Sequence, residues 1–561
     1  MKKGSFTFVL HSHLPYCRKA GRWPHGEEWI HEAIAETYLP LLNALYDLKE
    51  EGYPFKLTIG ITPVLVEQLA DKLILDHFNI YADDKIDRAA SDSKRFAKEG
   101  NEQLAYLANF YLDFYKNLRD SLKNRFKTNL IAAFKKLQDA GHVEILTSAA
   151  THGYLPLLDR DSSIYGQLAT GVVAYKRHFG RSPRAIWVPE CGYRPAYYTS
   201  KNRKKYIKPG IEHFLAEFGL GLFFTETHTI EGGEPVGKAT GAVVGPYGNV
   251  PKRYVVPIPD YEEPTMRTTF LPYWVQTPEV AVLGRNNRTG MQVWSADWGY
   301  PGDFDYREFH KKDGVSGMQY WRVTASRLDL AYKDYYHPDW AANKVNDHAN
   351  HYAWLVEDQI NNFAQQSDKY GIIAAAYDTE LFGHWWFEGV SWIKEVLKHL
   401  AHSETVELTT ASEFVEKHPP EDVLALREGS WGQAGNHFTW LNGDTEWVWP
   451  IIHDAERKME ELVARYPDAT EGLVDVLNQA ARELLLLESS DWPFLITTGQ
   501  ASVYASNRFQ EHVSRFDRLV SLAESGTIDN DTREICRELY EMDNVFPDID
   551  YRNFKNIEQA K

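Results

Sequence analysis

Ala185-Ile-Trp-Val-Pro-Glu190-Cys-Gly-Tyr193 and Ile372-Ile-Ala-Ala-Ala-Tyr-Asp378-Thr-Glu-Leu-Phe-Gly-His-Trp-Trp386 are apolar runs that each stop on a carboxylate set among aromatic residues. Each reads as a buried parallel strand ending at an acid. In barrels of parallel strands, the side chains at the C-terminal strand ends line the active site. A pair of acids flanked by Trp, Tyr and His is what cleavage of a sugar–sugar bond needs. Taken singly, either acid reads equally well as a helix cap or a surface ion pair. The shared context favours chemistry.

Outward from these runs, further candidate strands lie at 5–10, 56–61, 143–147 and 222–225, beside those at 185–189 and 372–377, with helical patterns between them such as 30–51 and 103–139. Strand–helix alternation over this length places the chain in the α/β class, as a barrel or a doubly wound sheet. Residues 201–300 are richer in Gly, Pro and Val and read as an inserted subdomain with a mobile loop, which divides the catalytic part into 1–200 and 301–415. The alternation stops near Lys417-His-Pro-Pro-Glu-Asp, so 416–561 forms a C-terminal helical domain with helices over 449–466, 470–487, 502–525 and 531–542.

With 561 residues the chain is long enough for two or three domains. Its net charge of −18 argues against a nucleic-acid partner, which needs clustered Lys and Arg. No apolar run reaches the roughly 18 residues of a membrane span, so no membrane partner is expected. Cys17, Cys191 and Cys536 are too few and too scattered for a disulfide framework or a zinc module, which fits a cytoplasmic location, and the quickly polar N-terminus reads as a strand instead of a signal peptide. The aromatic content is 14%, with 17 Trp, and tilts the reading toward a sugar ligand, although much of it must be core.

His11-Ser-His13-Leu-Pro-Tyr16 follows the first strand, and His152 follows another, so the three imidazoles point toward one mouth. Two His at i and i+2 can bind a metal, donate to sugar hydroxyls, or be satisfied polar groups at a rim. No carboxylate-rich partner motif accompanies them, so the expectation is sugar contact, with no metal and no cofactor. Glu380, two residues past Asp378, is placed to tune its proton affinity.

These motifs together with Glu144-Ile-Leu-Thr-Ser-Ala-Ala-Thr-His-Gly-Tyr-Leu-Pro-Leu-Leu158 resemble glycoside hydrolase family 57, in order from about residue 4 to about 545, and among its members the α-1,4-glucan branching enzymes. The resemblance implies an incomplete TIM-like barrel, (β/α)7, with an inserted subdomain and a C-terminal α-helical domain forming part of the glucan cleft. It implies Glu190 as an ionised nucleophile and Asp378 as a protonated general acid/base in a retaining double displacement. Substrate contacts carry over onto His11, His13, His152, Tyr247, Arg285, Trp294, Gly302, Trp431, Trp440, Asp491 and Gln500. Tyr247 would tip over the mouth on its Gly-flanked loop, and the three tryptophans would stack on sugar rings. An α-glucan such as amylose, amylopectin or glycogen would serve as donor and acceptor. An α-amylase or 4-α-glucanotransferase of the same family would use the same acids. A metal-dependent hydrolase using His11 and His13, or a non-catalytic glucan-binding protein, are the other readings.

Overall fold

The computed structural model describes residues 2–201, 204–233, 235, 244–245, 248–249, 264–295, 298–526 and 528–557. The first strand, Gly4–Ser12, is buried along its whole length. It pairs in parallel with Gly371–Asp378, in register from Gly4 opposite Gly371 to His11 opposite Asp378. On its other side its end pairs with Leu57–Ile61, which in turn pairs with Val143–Leu146. The parallel pairing continues by short bridges, Thr147 to Ile186 and Ala185 to Leu222. Strand Leu222–Thr225 then pairs with Ala281–Gly284, and Arg285 bridges back to Ala374. The fold is therefore α/β, with parallel strands and many helices.

Strand periodicity explains why these runs are apolar on both faces. Phe6, Phe8 and Leu10, with Ile373, Ala375 and Tyr377, enter a core shared with the surrounding helices Leu39–Glu50, Pro338–Ser367 and Gly389–Ala401. Val9, Ile372, Ala374 and Ala376 point the other way, into a core containing Trp187, Trp431 and the C-terminal helices. Each face thus has its own apolar partner, and a one-residue slip would exchange the two sets.

Several boundaries differ from the sequence reading. The run at 185–189 forms only the two bridges, because Pro189 cannot donate to a ladder and the chain turns at once. The stretch 201–300 is not wholly an insertion, since Leu222–Thr225 and Ala281–Gly284 join the parallel strands. The helical patterns at 30–51 and 103–139 are each interrupted by a π-helical turn, Ile34–Tyr38 and Ser121–Arg125. Just past 416, where the sequence reading begins a helical domain, Val423–Leu424 still pairs with Tyr273–Val275.

The C-terminal helices are Val448–Arg465, Glu471–Leu487, Asp491–Thr498, Ser502–Ser525 and Asn530–Met542. They are stapled by a buried network in which His512 Nδ1 lies 2.8 Å from Glu483 and Arg515 pairs with Asp543.

Candidate active site

Two segments of the C-terminal part are zipped onto loops that follow the parallel strands. Tyr193 and Gly429 exchange backbone hydrogen bonds, and the Trp431 amide donates to the Glu190 carbonyl at 3.0 Å. Gly153 bridges Ser489, and the Ser490 amide donates to the His152 carbonyl at 3.1 Å. The first zipper delivers Trp431 to Glu190, and the second delivers Asp491 to His13.

Glu190 follows Pro189 in a left-handed conformation, φ 59°, and Cys191 shares it at φ 49°. His152 also has φ 60°. Such backbone is uncommon for non-glycine residues and clusters at functional sites. The Glu190 side chain is 14% exposed. Its Oε2 accepts the Trp431 indole N–H at 2.5 Å, and its Oε1 lies 3.8 Å from His152 Nδ1. Burial pushes the carboxyl up to about 8; the Trp431 bond opposes this, and the charges of Asp378 and Asp491 reinforce it. The resemblance implies an ionised nucleophile, whereas desolvation drives Glu190 the other way.

Asp378 is the last residue of its strand, opposite His11, and its charge raises the proton affinity of both Glu190 and Glu380. Around the acids the imidazoles form a stack. The rings of His13 and His152 are 3.8 Å apart, and His11 lies 4.8 Å from the Trp187 ring. His11 Nε2 and His152 Nε2 are 3.1 Å apart, and His152 Nδ1 meets Ser490 Oγ at 2.8 Å. His13 bonds Thr62 through Nδ1 and both Asp491 oxygens through Nε2, at 3.0 and 3.1 Å. Burial holds His11 and His152 well below the usual imidazole range, so both are neutral. These bonds occupy both nitrogens of His13 and His152, leaving His11 Nδ1 as the unpartnered buried ring nitrogen of the three.

The remaining expected contacts fall into distinct settings. Arg285 is buried, bonds Glu226 at 3.0 Å, and lies 5.6 Å from the Trp431 ring centre, with Nε and Nη2 unpartnered. Trp431 is itself only 8% exposed, so here it acts on Glu190 instead of offering a free stacking face. Trp440 corrects the expectation outright. It is fully buried and stacked on Tyr154 with ring centres 4.3 Å apart, so no sugar can reach it in this conformation. Trp294 and Gln500 are half-buried and Gly302 is exposed. Tyr247 lies outside the described residues.

Sequence reasoning missed Tyr38, Ser490 and Thr62. Tyr38 is hidden in a helical pattern, and its hydroxyl donates to Glu380. Ser490 precedes Asp491 and had no signal beyond a hydroxyl at a helix start.

A family model described as glycosyl hydrolase family 57 matches residues 7–427, and one described as 1,4-alpha-glucan branching enzyme, C-terminal, matches 451–554. The chain is 45% identical over 550 residues to the 1,4-alpha-glucan branching enzyme TK1436 of Thermococcus kodakarensis, covering 97% of this chain and 77% of that protein. The crystal structure of TK1436 superposes with a TM-score of 0.89 at 43% identity, covering 99% of this chain and 97% of that one. A branching enzyme from Pyrococcus horikoshii gives 0.87 at 43% identity, covering 100% and 98%. The α-amylase AmyC from Thermotoga maritima gives 0.80 at 30% identity, covering 99% of both chains.

Proposed function

The chain belongs to glycosyl hydrolase family 57, and from that membership we propose that it is a 1,4-α-glucan branching enzyme, cleaving α-1,4 bonds and re-forming them as α-1,6 branches. The observation that carries this reading is the C-terminal part's role in the site: the region matching the branching-enzyme C-terminal model supplies Asp491 and Ser490 to the imidazoles beside Glu190.

In this reading Glu190 attacks the anomeric carbon while Asp378 protonates the departing chain, and Asp378 then deprotonates a glucan 6-hydroxyl that attacks the glycosyl ester. The anomeric configuration is retained. Neutral His11 and His152 leave the developing positive charge of the sugar without a cationic neighbour on that side. The Trp431 indole N–H favours the ionised form of the nucleophile against the burial that opposes it, and the Arg285 guanidinium lies over the Trp431 ring. His13, Asp491, Trp294, Gly302 and Gln500 are read as the glucan-contacting rim, with Tyr247 above it. The reaction as read calls for no metal, and the ring nitrogens of His13 and His152 are engaged in hydrogen bonds within the protein. The α-glucan is both donor and acceptor.

The scaffold is read as a (β/α)7 barrel, supported by parallel pairing that runs through 4–12, 57–61, 143–146, 185–186, 222–225, 281–284 and 371–378 and returns to its start. A cytoplasmic enzyme of glycogen synthesis fits the three free cysteines.

Incubation with amylose tests the function. New α-1,6 linkages should accumulate while reducing ends stay nearly constant. Reducing ends rising without branches would support the second reading, an α-amylase such as the similar AmyC is described to be.

A further inference from the structure

The turn Ile34–Tyr38 is a π-helical insertion between the α-helical segments Glu27–Ala33 and Leu39–Glu50. Such insertions are rare and recur at functional sites. Here two of its side chains reach the loop that follows Asp378. The Tyr38 hydroxyl donates to Glu380 Oε1, and the same oxygen accepts the His13 amide at 3.1 Å. Glu36 Oε2 meets His384 Nδ1 at 2.9 Å, and its Oε1 accepts from Arg307 at 3.3 Å. Between these anchors Gly383, at φ 101°, lies so close to the Glu36 carbonyl that a β-carbon would sit 1.8 Å from it. Ser12 and Thr379 hydroxyls, 2.7 Å apart, tie the first strand's end to the same loop.

We propose that Glu380 is a positioning residue for the general acid/base. Its carboxyl, gripped by the Tyr38 hydroxyl and the His13 amide, fixes the Thr379–Leu381 turn that carries the Asp378 backbone into the site. The inference rests on Asp378 having the acid/base role. Proton transfer demands that its carboxyl stay within hydrogen-bond reach of the glycosidic oxygen, and a displacement of about 1 Å can lower turnover about 100-fold. Glu380 is buried, and burial pushes its carboxyl up to about 8, with the Tyr38 bond opposing and the Asp378 charge reinforcing. Burial favours the neutral, protonated form, and an amide reproduces the shape and the accepting oxygen of that form.

Glu380→Ala, Glu380→Gln and Tyr38→Phe test this, with kcat and KM on amylose, amylose binding and the thermal midpoint measured for each. Glu380→Ala should lower kcat about 10- to 100-fold with KM and binding unchanged, and Tyr38→Phe, which removes one atom, about tenfold. Glu380→Gln should restore kcat to within about threefold of the parent, because the amide oxygen still accepts both bonds. Parent-like kcat in Tyr38→Phe would overturn the proposal, as would a fall in kcat that tracks the thermal midpoint across all three variants. Hydrolysis and branch formation are scored separately. A parent that hydrolyses without branching contradicts the branching assignment, while the kcat comparison among variants still decides the role of Glu380.

Discussion

Trp431→Phe removes one hydrogen-bond donor from Glu190 and keeps an aromatic ring in its place. The bond lost is 2.5 Å long, part-buried, and made to a group that the proposed mechanism requires to ionise. Hydrogen bonds to charged groups contribute about 1.5–3 kcal/mol. One pKa unit corresponds to about 1.4 kcal/mol, so Glu190 should rise by about one to two units above its value of about 8. Below its pKa, each added unit lowers the ionised fraction of Glu190 about tenfold. Branching kcat/KM at pH 7 should therefore fall about 10- to 100-fold. The assay is the initial rate of α-1,6 linkage formation from amylose at low substrate, taken across the pH range for both proteins. Because Asp378 is common to both, the ratio of their rates isolates Glu190. That ratio should shrink toward unity as pH rises past about 8, the parent value. A ratio that does not change with pH would refute the reasoning and trace the loss to packing around the smaller ring.

Glu190→Gln and Asp378→Asn should each abolish turnover while leaving amylose binding, followed by affinity electrophoresis, close to the parent's; turnover surviving in either would remove that residue from the mechanism. Burial would raise Glu36, but Arg307 and His384 overcome it and hold the carboxyl at about 2. Because its value is depressed on folding, its stabilisation is present above the ordinary carboxylate range and is lost as pH falls through about 2. Glu36→Gln should therefore cost about 3 kcal/mol at neutral pH, with the gap to the parent closing on acidification in thermal or denaturant unfolding. A strong chelator should leave amylose conversion unchanged; a loss reversed by a divalent cation would reassign the histidines as ligands.

How much of this was legible in the sequence differs by residue. The strand ends at Glu190 and Asp378 were legible because a buried strand leaves an unbroken apolar run; either acid alone read equally well as a cap or an ion pair, and only their shared aromatic context set them apart. Strand Ala281–Gly284 was not separated from its surroundings, because four apolar residues inside a Gly- and Pro-rich stretch carry no usable period. The glycines around Trp440 signalled an exposed loop, yet Gly432 exists to let that ring in: a β-carbon there would meet it at 2.8 Å. Tyr38 gave no sign, since a π insertion changes which face a helical residue presents without altering composition. The pairing of His13 with Asp491 joins residues 478 positions apart, and only the zipper at Gly153 and Ser489 reveals it.

In the proposed mechanism Glu190 forms a covalent glycosyl ester that Asp378 helps to make and to resolve. Asp378→Asn treated with α-maltosyl fluoride tests it most directly. Fluoride leaves without acid assistance, so the ester should form and then persist for want of a base. Intact-protein mass spectrometry should show one added maltosyl group, and peptide mapping should place it on Glu190. An adduct on another residue, or fluoride release with an inverted sugar product and no adduct, would contradict the account.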